Sequence, residues 1–258
     1  MVGDILKYGS YGVLVLVLLG GMVWAVVSWS RRRFSVRAFL VGAVTAFVLN
    51  LLGVFNNWYQ ALAGFSTAQP FRNQVLLVFL GGLLVSVFLS GALGLLLGLA
   101  HSLAGEGRRV PGGFRLAGVS LGLAAAGLTA AAGLLFPDLE PFWPDPGALN
   151  EVFPLLFYFV SPAMSFLTVG ILFLFVTSAV TRLSLNWTSR KVFFSLVLIF
   201  FGFLLAGTRG APGVGSWAVS GMVAGLAVLA AYATVVRFSP AAVPPALAAL
   251  ALLGQAST

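Results

Sequence analysis

The chain has 258 residues, of which 60% are hydrophobic and 8% are charged, whereas an ordinary soluble domain carries about 25% charged residues. A soluble globule of this length needs a largely polar surface, which 14 basic and 6 acidic side chains are too few to build. The composition therefore excludes a soluble globular protein and indicates a lipid bilayer as the solvent. The absence of cysteine excludes a disulfide framework and thiol chemistry.

Long uncharged runs define the predicted elements, since a helix crosses about 30 Å of hydrocarbon with roughly 17 to 25 residues. In chain order the predicted spans are 10–29, 38–55, 75–101, 116–136, 153–180, 192–208 and 216–236, with a shorter candidate at 241–254 that contains Pro244 and Pro245. The runs are apolar on every side and lack the period-two polarity of barrel strands. We predict a single all-α membrane domain over residues 1–258, a polytopic transmembrane helical bundle of seven or eight spans.

The basic residues are divided unevenly between the loops on the two sides of the predicted bundle. Placing successive loops on alternate sides leaves Lys7, Arg72 and Arg209 on one side, together with five of the six acidic residues. Short basic loops stay in the cytoplasm, so we predict an integral protein of a bacterial inner membrane with its amino terminus outside. The predicted cytoplasmic cations are Arg31, Arg32, Arg33, Arg37, Arg108, Arg109, Arg115, Arg182, Arg190, Lys191 and Arg237.

The net charge of +8 also bears on partners. The cations are spread over short turns, where they would meet anionic lipid headgroups. Nucleic-acid binding instead needs many cations along one surface. We therefore predict membrane lipids and other membrane protein subunits as partners, and no nucleic acid.

A polar segment at 55–74 separates the second and third predicted spans on the outer side. Asn56 and Asn57 supply amides that form hydrogen bonds, and Trp58 and Tyr59 supply rings that suit the headgroup layer. Two interpretations stay open. The segment is either an ordinary interfacial loop or a short re-entrant or docking loop, because polar backbone at membrane depth needs protein or a cavity around it.

The second outer loop, at 137–151, is rich in proline and acidic residues and contains the adjacent pair Phe142 and Trp143. Proline stiffens such a loop, and aromatic rings lie at the bilayer boundary. We predict an interfacial lid with this aromatic pair as docking residues. The alternative is a loop that binds a cation or an outside protein, although its acids lack the spacing of a metal site.

The third predicted span carries a stripe of small residues at every fourth position, on one face of the helix. Small side chains let another backbone approach closely enough for dispersion to hold two helices together in lipid. The predicted neighbour is another span, for example the seventh with Gly221 and Gly225 or the fourth with Gly118 and Gly122, or a flat ligand such as a lipid, carotenoid or tetrapyrrole. The stripe consists of Gly82, Ser86, Ser90, Gly94, Gly98 and Ser102.

His101 is the single histidine and lies at the inner end of the third predicted span. An imidazole there has two interpretations. It ligates the metal of a chlorophyll-type pigment or a haem, or it only forms a hydrogen bond to a carbonyl or to water. We name His101 as the candidate cofactor-binding residue, while the identity of the cofactor stays open between a lipid, a carotenoid and a chlorophyll-type pigment.

Residues suited to catalysis or ion transport are scarce. Transporters and pumps place ionisable groups near mid-membrane, where the predicted spans have none and Asn50 is the most polar residue. One histidine and six scattered acids offer no nucleophile with a base and no set of metal ligands. We therefore predict no catalytic residue and no metal site.

Two segments carry a family resemblance: FNNWYQALAGFSTAQPFRNQ and the late RFSPAAVPPALAALALLG. With the general run of spans, they resemble the amino-terminal membrane region of large bacterial CPBP-type proteins, which are related to the CAAX protease. The catalytic part of that family has an adjacent glutamate pair followed by arginine, and later helices with histidine. This chain has no match to those elements, so the resemblance implies a non-catalytic region.

These features predict a non-catalytic accessory or structural subunit of a larger membrane complex. It would contact lipid or a pigment of the carotenoid or chlorophyll type through its small-residue grooves and its many phenylalanine side chains. The alternatives are a fragment or inactive relative of a CPBP-type intramembrane protease, and a small-solute transporter that uses Asn50.

Overall fold

The computed structural model describes residues 2–31, 34–104, 113–135, 152–185, 187–208 and 213–256. All regular elements in these ranges are helical. The elements are α1 Val2–Ser30, α2 Val36–Asn56, α3 Trp58–Ala63, α4 Phe71–Ala104, α5 Gly113–Leu135, α6 Pro154–Leu183, α7 Lys191–Thr208, α8 Val214–Ala231, the π-helix Tyr232–Val236, the 3-10 turn Pro240–Ala242 and α9 Val243–Ala256.

Six described helices are long and apolar enough to cross a bilayer, namely α1, α2, α4, α6, α7, and α8 extended by the π-helix. They confirm the prediction of an all-α bundle built for a membrane. The predicted count of seven or eight spans is not confirmed. Among the described residues, the remaining apolar segments are Leu116–Leu128 within α5, a helix of 23 residues in all, and Pro240–Leu250, which runs from the 3-10 turn into α9. A spanning helix needs about 20 apolar residues.

The helix starts follow from local sequence. Ser35 precedes α2, and its hydroxyl accepts a hydrogen bond from the Ala38 N–H at 3.4 Å, which satisfies one of the free donors of the first turn. Pro154 stands in the first turn of α6, where a missing N–H costs no helical hydrogen bond. At the start of α8, the Ser216 hydroxyl accepts from the Gly213 N–H at 3.2 Å. Polar side chains and proline thus divide the apolar runs into separate helices.

Each long helix contacts at least two others. α4 packs against α1, α2 and α6, while α7 packs against α1 and α8. α5 lies against α8 and α9, and α9 also contacts α6. Leu93, Leu96 and Leu99 of α4, Leu198 of α7 and Tyr232 are fully buried where these helices meet. The core therefore joins the first half of the chain to the second.

Contacts between helix ends define the two ends of the bundle. The end of α2 lies beside the start of α6, since the Val152 N–H donates to the Asn56 carbonyl at 3.0 Å. Near that same end, the Tyr11 hydroxyl donates to the Thr208 carbonyl at 3.2 Å. At the opposite end, where α1, α4 and α6 finish, Arg31, Arg37, Arg182, Arg190 and Lys191 are exposed. We call this the basic end.

Candidate functional site

The small-residue stripe of α4 lies against α2 of the same chain. A side chain carbon added at Gly82 would come within 2.9 Å of Val54, and one at Gly94 would come within 2.8 Å of the Phe39 carbonyl oxygen. At Gly98 the nearest backbone atom would be the Ser35 carbonyl oxygen, at 3.0 Å. α2 therefore occupies the groove that the sequence offered to α5, to α8 or to a flat ligand.

The three serines of the stripe have separate roles. Ser86 and Ser90 are buried, and the Ser90 hydroxyl accepts from the Asn50 side chain amide at 3.4 Å. The same amide donates to the Ala46 carbonyl at 3.0 Å. Ser102 turns back to its own helix, where its hydroxyl donates to the Leu99 carbonyl at 2.8 Å. Asn50 is thus engaged in joining α2 to α4.

The other glycine pairs named from the sequence also lie against neighbouring helices. Carbons added at Gly118 and Gly122 of α5 would meet the backbone carbonyls of Ala242 and Ala246. A carbon added at Gly225 of α8 would lie 2.7 Å from the Ile199 carbonyl oxygen on α7. Close backbone approach through glycine is therefore how α2 and α4, α5 and α9, and α7 and α8 associate.

The first outer segment contains one buried polar residue, Asn56. Its side chain oxygen accepts from the Phe153 N–H at 2.8 Å, and its carbonyl oxygen accepts from Val152. Asn57 links α2 to α3 and is exposed, Trp58 is half-buried and Tyr59 is exposed. The predicted docking residues Phe142 and Trp143 lie outside the described residues.

We expect Asn56→Ala to destabilise the protein by about 1 to 3 kcal/mol, because the Phe153 N–H loses its acceptor at the start of α6. Thermal unfolding in detergent would measure the loss, and hydrogen exchange should rise at the Phe153 amide. Asn57→Ala is the matched control, since an exposed change of this kind stays within about 0.5 kcal/mol. Equal effects of the two variants would contradict a structural role of the Asn56 side chain.

His101 is exposed in the last turn of α4, at the basic end. Within the described ranges, no side chain forms a hydrogen bond to its ring. The same ranges contain no group of three or more His, Cys, Asp or Glu residues that could hold a metal ion. His101 therefore stays a predicted cofactor-binding residue without a second ligand near it in the described structure.

A polar cluster that the sequence did not predict lies at the basic end. The hydroxyls of Thr181 on α6 and Tyr232, the first residue of the π-helix, are 2.9 Å apart, and Tyr232 is fully buried. The Trp187 ring packs on the Tyr232 ring with centroids 5.0 Å apart. We call Thr181, Trp187, Tyr232, Arg237 and Ser239 the Tyr232 cluster.

The backbone around the cluster departs from regular geometry on both sides. In the π-helix the Arg237 N–H donates to the Tyr232 carbonyl at 3.2 Å, five residues earlier. The turn after α6 contains Leu185, Trp187 and Arg190 with φ of 51°, 68° and 51°. Such conformations cost about 1 to 3 kcal/mol each and, like π-helical turns, concentrate at functional sites.

Two donors of the Tyr232 cluster lack an acceptor. The Arg237 Nε and the Ser239 hydroxyl oxygen are buried without a hydrogen-bond partner, and Ser239 as a whole is 3% exposed. The Arg237 guanidinium carbon lies 4.3 Å from the centre of the Phe238 ring. Leaving a buried donor unpaired costs about 1 to 3 kcal/mol, and more for a charged one. The two unpaired donors, a guanidinium and a hydroxyl, are suited to binding an acceptor.

The sequence contains only a weak signal for this cluster. Thr181 and Tyr232 are 51 positions apart, and each lies in an apolar run where single hydroxyls are common. The local signal is Arg237 followed by Phe238, Ser239 and Pro240 at the end of such a run. This sequence indicates that a span ends here. It does not indicate that the side chain donors of Arg237 and Ser239 are buried.

The fold belongs to the class of helical integral membrane proteins. Comparisons with protein-family models, curated proteins and solved structures give no match. The resemblance to CPBP-type proteins thus stays a prediction from the two quoted segments.

Proposed function

We propose that this chain is a non-catalytic subunit of a larger membrane assembly and that the outward face of α1 binds a transmembrane helix of another subunit. The observation that carries the proposal is the placement of the α1 glycines. Carbons added at Gly9, Gly12 and Gly20 would meet no atom within 4 Å, whereas one added at Gly21 would meet Leu96 and Phe175 in the core.

The three outward glycines share one side of the helix. At 3.6 residues per turn, Gly9, Gly12 and Gly20 fall within an arc of about 80°. Glycine in a helix costs about 1 kcal/mol relative to alanine and offers less surface to acyl chains. Its advantage in a membrane is that another backbone can approach closely. The glycines of α4, α5 and α8 described above are used in this way inside the bundle.

The position of α1 at the edge of the bundle supports the same proposal. Only 11% of its most apolar window is buried, compared with 39% for the window of α8. Leu16 and Val23 lie on the same outward side as the glycines and are exposed. A second helix would pack its side chains over the glycines and against these two residues.

Lipid and pigment contacts belong to other surfaces. Exposed apolar side chains such as Leu77 and Leu84 of α4 suit acyl chains. Since α2 fills the groove along the α4 stripe, a carotenoid or chlorophyll-type pigment would bind on an outer face or near the exposed His101.

The lack of cysteine in the chain permits a direct test. Gly12→Cys, labelled with a photoactivatable maleimide and irradiated in native membranes, should form an adduct with a different membrane protein. Leu84→Cys is the matched control on an exposed face of α4 and should form lipid adducts only. Gly12→Leu should reduce co-purification of the partner by about tenfold or more in mild detergent.

The proposal fails if the Gly12→Cys probe labels only lipid and the wild-type chain migrates alone in mild detergent. An adduct with a second copy of the chain would show that the outward face of α1 forms a homo-oligomer and would contradict the role as an accessory subunit. Gly12→Leu should be as stable to heat as the wild type or more so, because the added side chain points into open space and leucine favours helix over glycine.

A further inference from the structure

The turn that joins the π-helix to α9 holds two buried donors and no acceptor for them. Ser239 is 3% exposed and its hydroxyl has no partner, and the Arg237 Nε is likewise buried and unpaired. No ion pair involves Arg237 in the part of the chain that the structure describes. Both groups therefore have hydrogen-bonding capacity that an outside acceptor would satisfy.

The Arg237 side chain is held in position. Its guanidinium lies over the Phe238 ring, 4.3 Å from the ring centre, and a cation over an aromatic face is attracted to it. A guanidinium fixed as a planar fork matches two oxygens of one phosphate, and its hydrogen bonds to phosphate are charge-assisted. The Ser239 hydroxyl, two residues further along the chain, is the second donor without a partner.

The surrounding turns have the composition of a membrane interface. Phe238 is 49% exposed in this turn, and Leu185 is 67% exposed in the turn after α6. The exposed cations Arg182, Arg190 and Lys191 lie in or beside the same α6–α7 turn. Apolar side chains exposed next to cations are typical of segments at the boundary between headgroups and acyl chains, where phosphates are the abundant acceptors.

We propose that Arg237 and Ser239 bind the phosphate group of an anionic phospholipid at the basic end of the bundle. The guanidinium and the serine hydroxyl donate to the phosphate oxygens, and the acyl chains of the lipid lie along the exposed apolar side chains nearby. The site shares no residue with the α1 surface, so a negative result for one proposal leaves the other unaffected.

Native mass spectrometry of the full chain from phosphatidylglycerol nanodiscs tests the site. The wild type should retain one phosphatidylglycerol at activation energies that remove the rest, and it should not retain diacylglycerol, which lacks the phosphate. Arg237→Gln should reduce retention by about tenfold, the equivalent of one charge-assisted hydrogen bond. Arg237→Lys keeps the charge without the fork and should give an intermediate value, and Ser239→Ala should reduce retention severalfold.

Arg190→Gln is the matched control, because it removes an exposed cation at the same end and should leave retention unchanged. Competition by inorganic phosphate that depends on Arg237, without retention of lipid, would assign the site to free phosphate and overturn the lipid source. Equal retention by the wild type and a folded Arg237→Gln variant, or an equal loss in Arg190→Gln, would overturn the site. Ser239→Ala keeps the test decisive if Arg237→Gln does not fold.

Discussion

Replacing Gly202 with alanine is expected to lower the free energy of unfolding by about 3 kcal/mol. A carbon added there would collide with the Gly225 backbone and would lie 2.7 Å from the Ala224 carbonyl carbon. The obstacle is backbone on the neighbouring helix, so no side chain rotation relieves it. α7 and α8 would have to separate along a contact that also brings Gly225 against Ile199 and Gly221 against Phe203.

Unfolding of the purified protein in mixed micelles, followed by tryptophan fluorescence, measures this effect. Gly127→Ala is the matched control, because a carbon added at Gly127 of α5 would meet no atom within 4 Å. Alanine favours helix over glycine by about 1 kcal/mol, so the control variant should be as stable as the wild type or more so. Similar stability of the two variants would contradict the close contact between α7 and α8.

Tyr232→Ala should destabilise the protein by about 3 to 5 kcal/mol, the usual cost of removing a large buried aromatic side chain. Tyr232 is fully buried, its ring supports Trp187 and its hydroxyl meets that of Thr181. Tyr232→Phe keeps the ring and loses only the hydroxyl pair, so its cost should be about 1 kcal/mol. Tyr158→Ala, on an exposed position of α6, is the control and should cost far less.

A double-mutant cycle separates packing from hydrogen bonding at this site. If the two hydroxyls interact, Tyr232→Phe should cost less in a Thr181→Val background than in the wild type, by about 0.5 kcal/mol or more. Additive effects would show that the 2.9 Å pair contributes no coupling.

Apolar run length predicted several helices well. The predicted span 38–55 corresponds to α2, Val36–Asn56, and 192–208 corresponds to α7, Lys191–Thr208. These runs end at polar or charged residues, so their limits are visible in the sequence. α5, Gly113–Leu135, likewise corresponds to the predicted span 116–136. α9, Val243–Ala256, has 14 residues, and a spanning helix needs about 20.

Neighbours were harder to predict than helices. Gly94 meets the backbone of α2, whereas Gly122 meets that of α9 and Gly225 that of α7, yet all three stand in similar small-residue patterns. α2 has its own small buried residues, Gly42 and Ala46, and a carbon added at Gly42 would lie 3.4 Å from Gly94 of α4. Small residues indicate that a helix is approached closely, but the choice of partner depends on the arrangement of the whole bundle.

The hydrogen bond between Tyr11 and Thr208 joins residues that are 197 positions apart, and it has a consequence for biosynthesis. At about 5 to 20 residues per second, a ribosome needs roughly 10 to 40 s to produce α7 after α1. During that interval α1 lacks its contact with α7, whereas α4 and α6, which it also contacts, are synthesised before α7. We expect nascent chains truncated before α7 to hold α1 loosely and to be degraded by membrane quality-control proteases faster than chains that include α7.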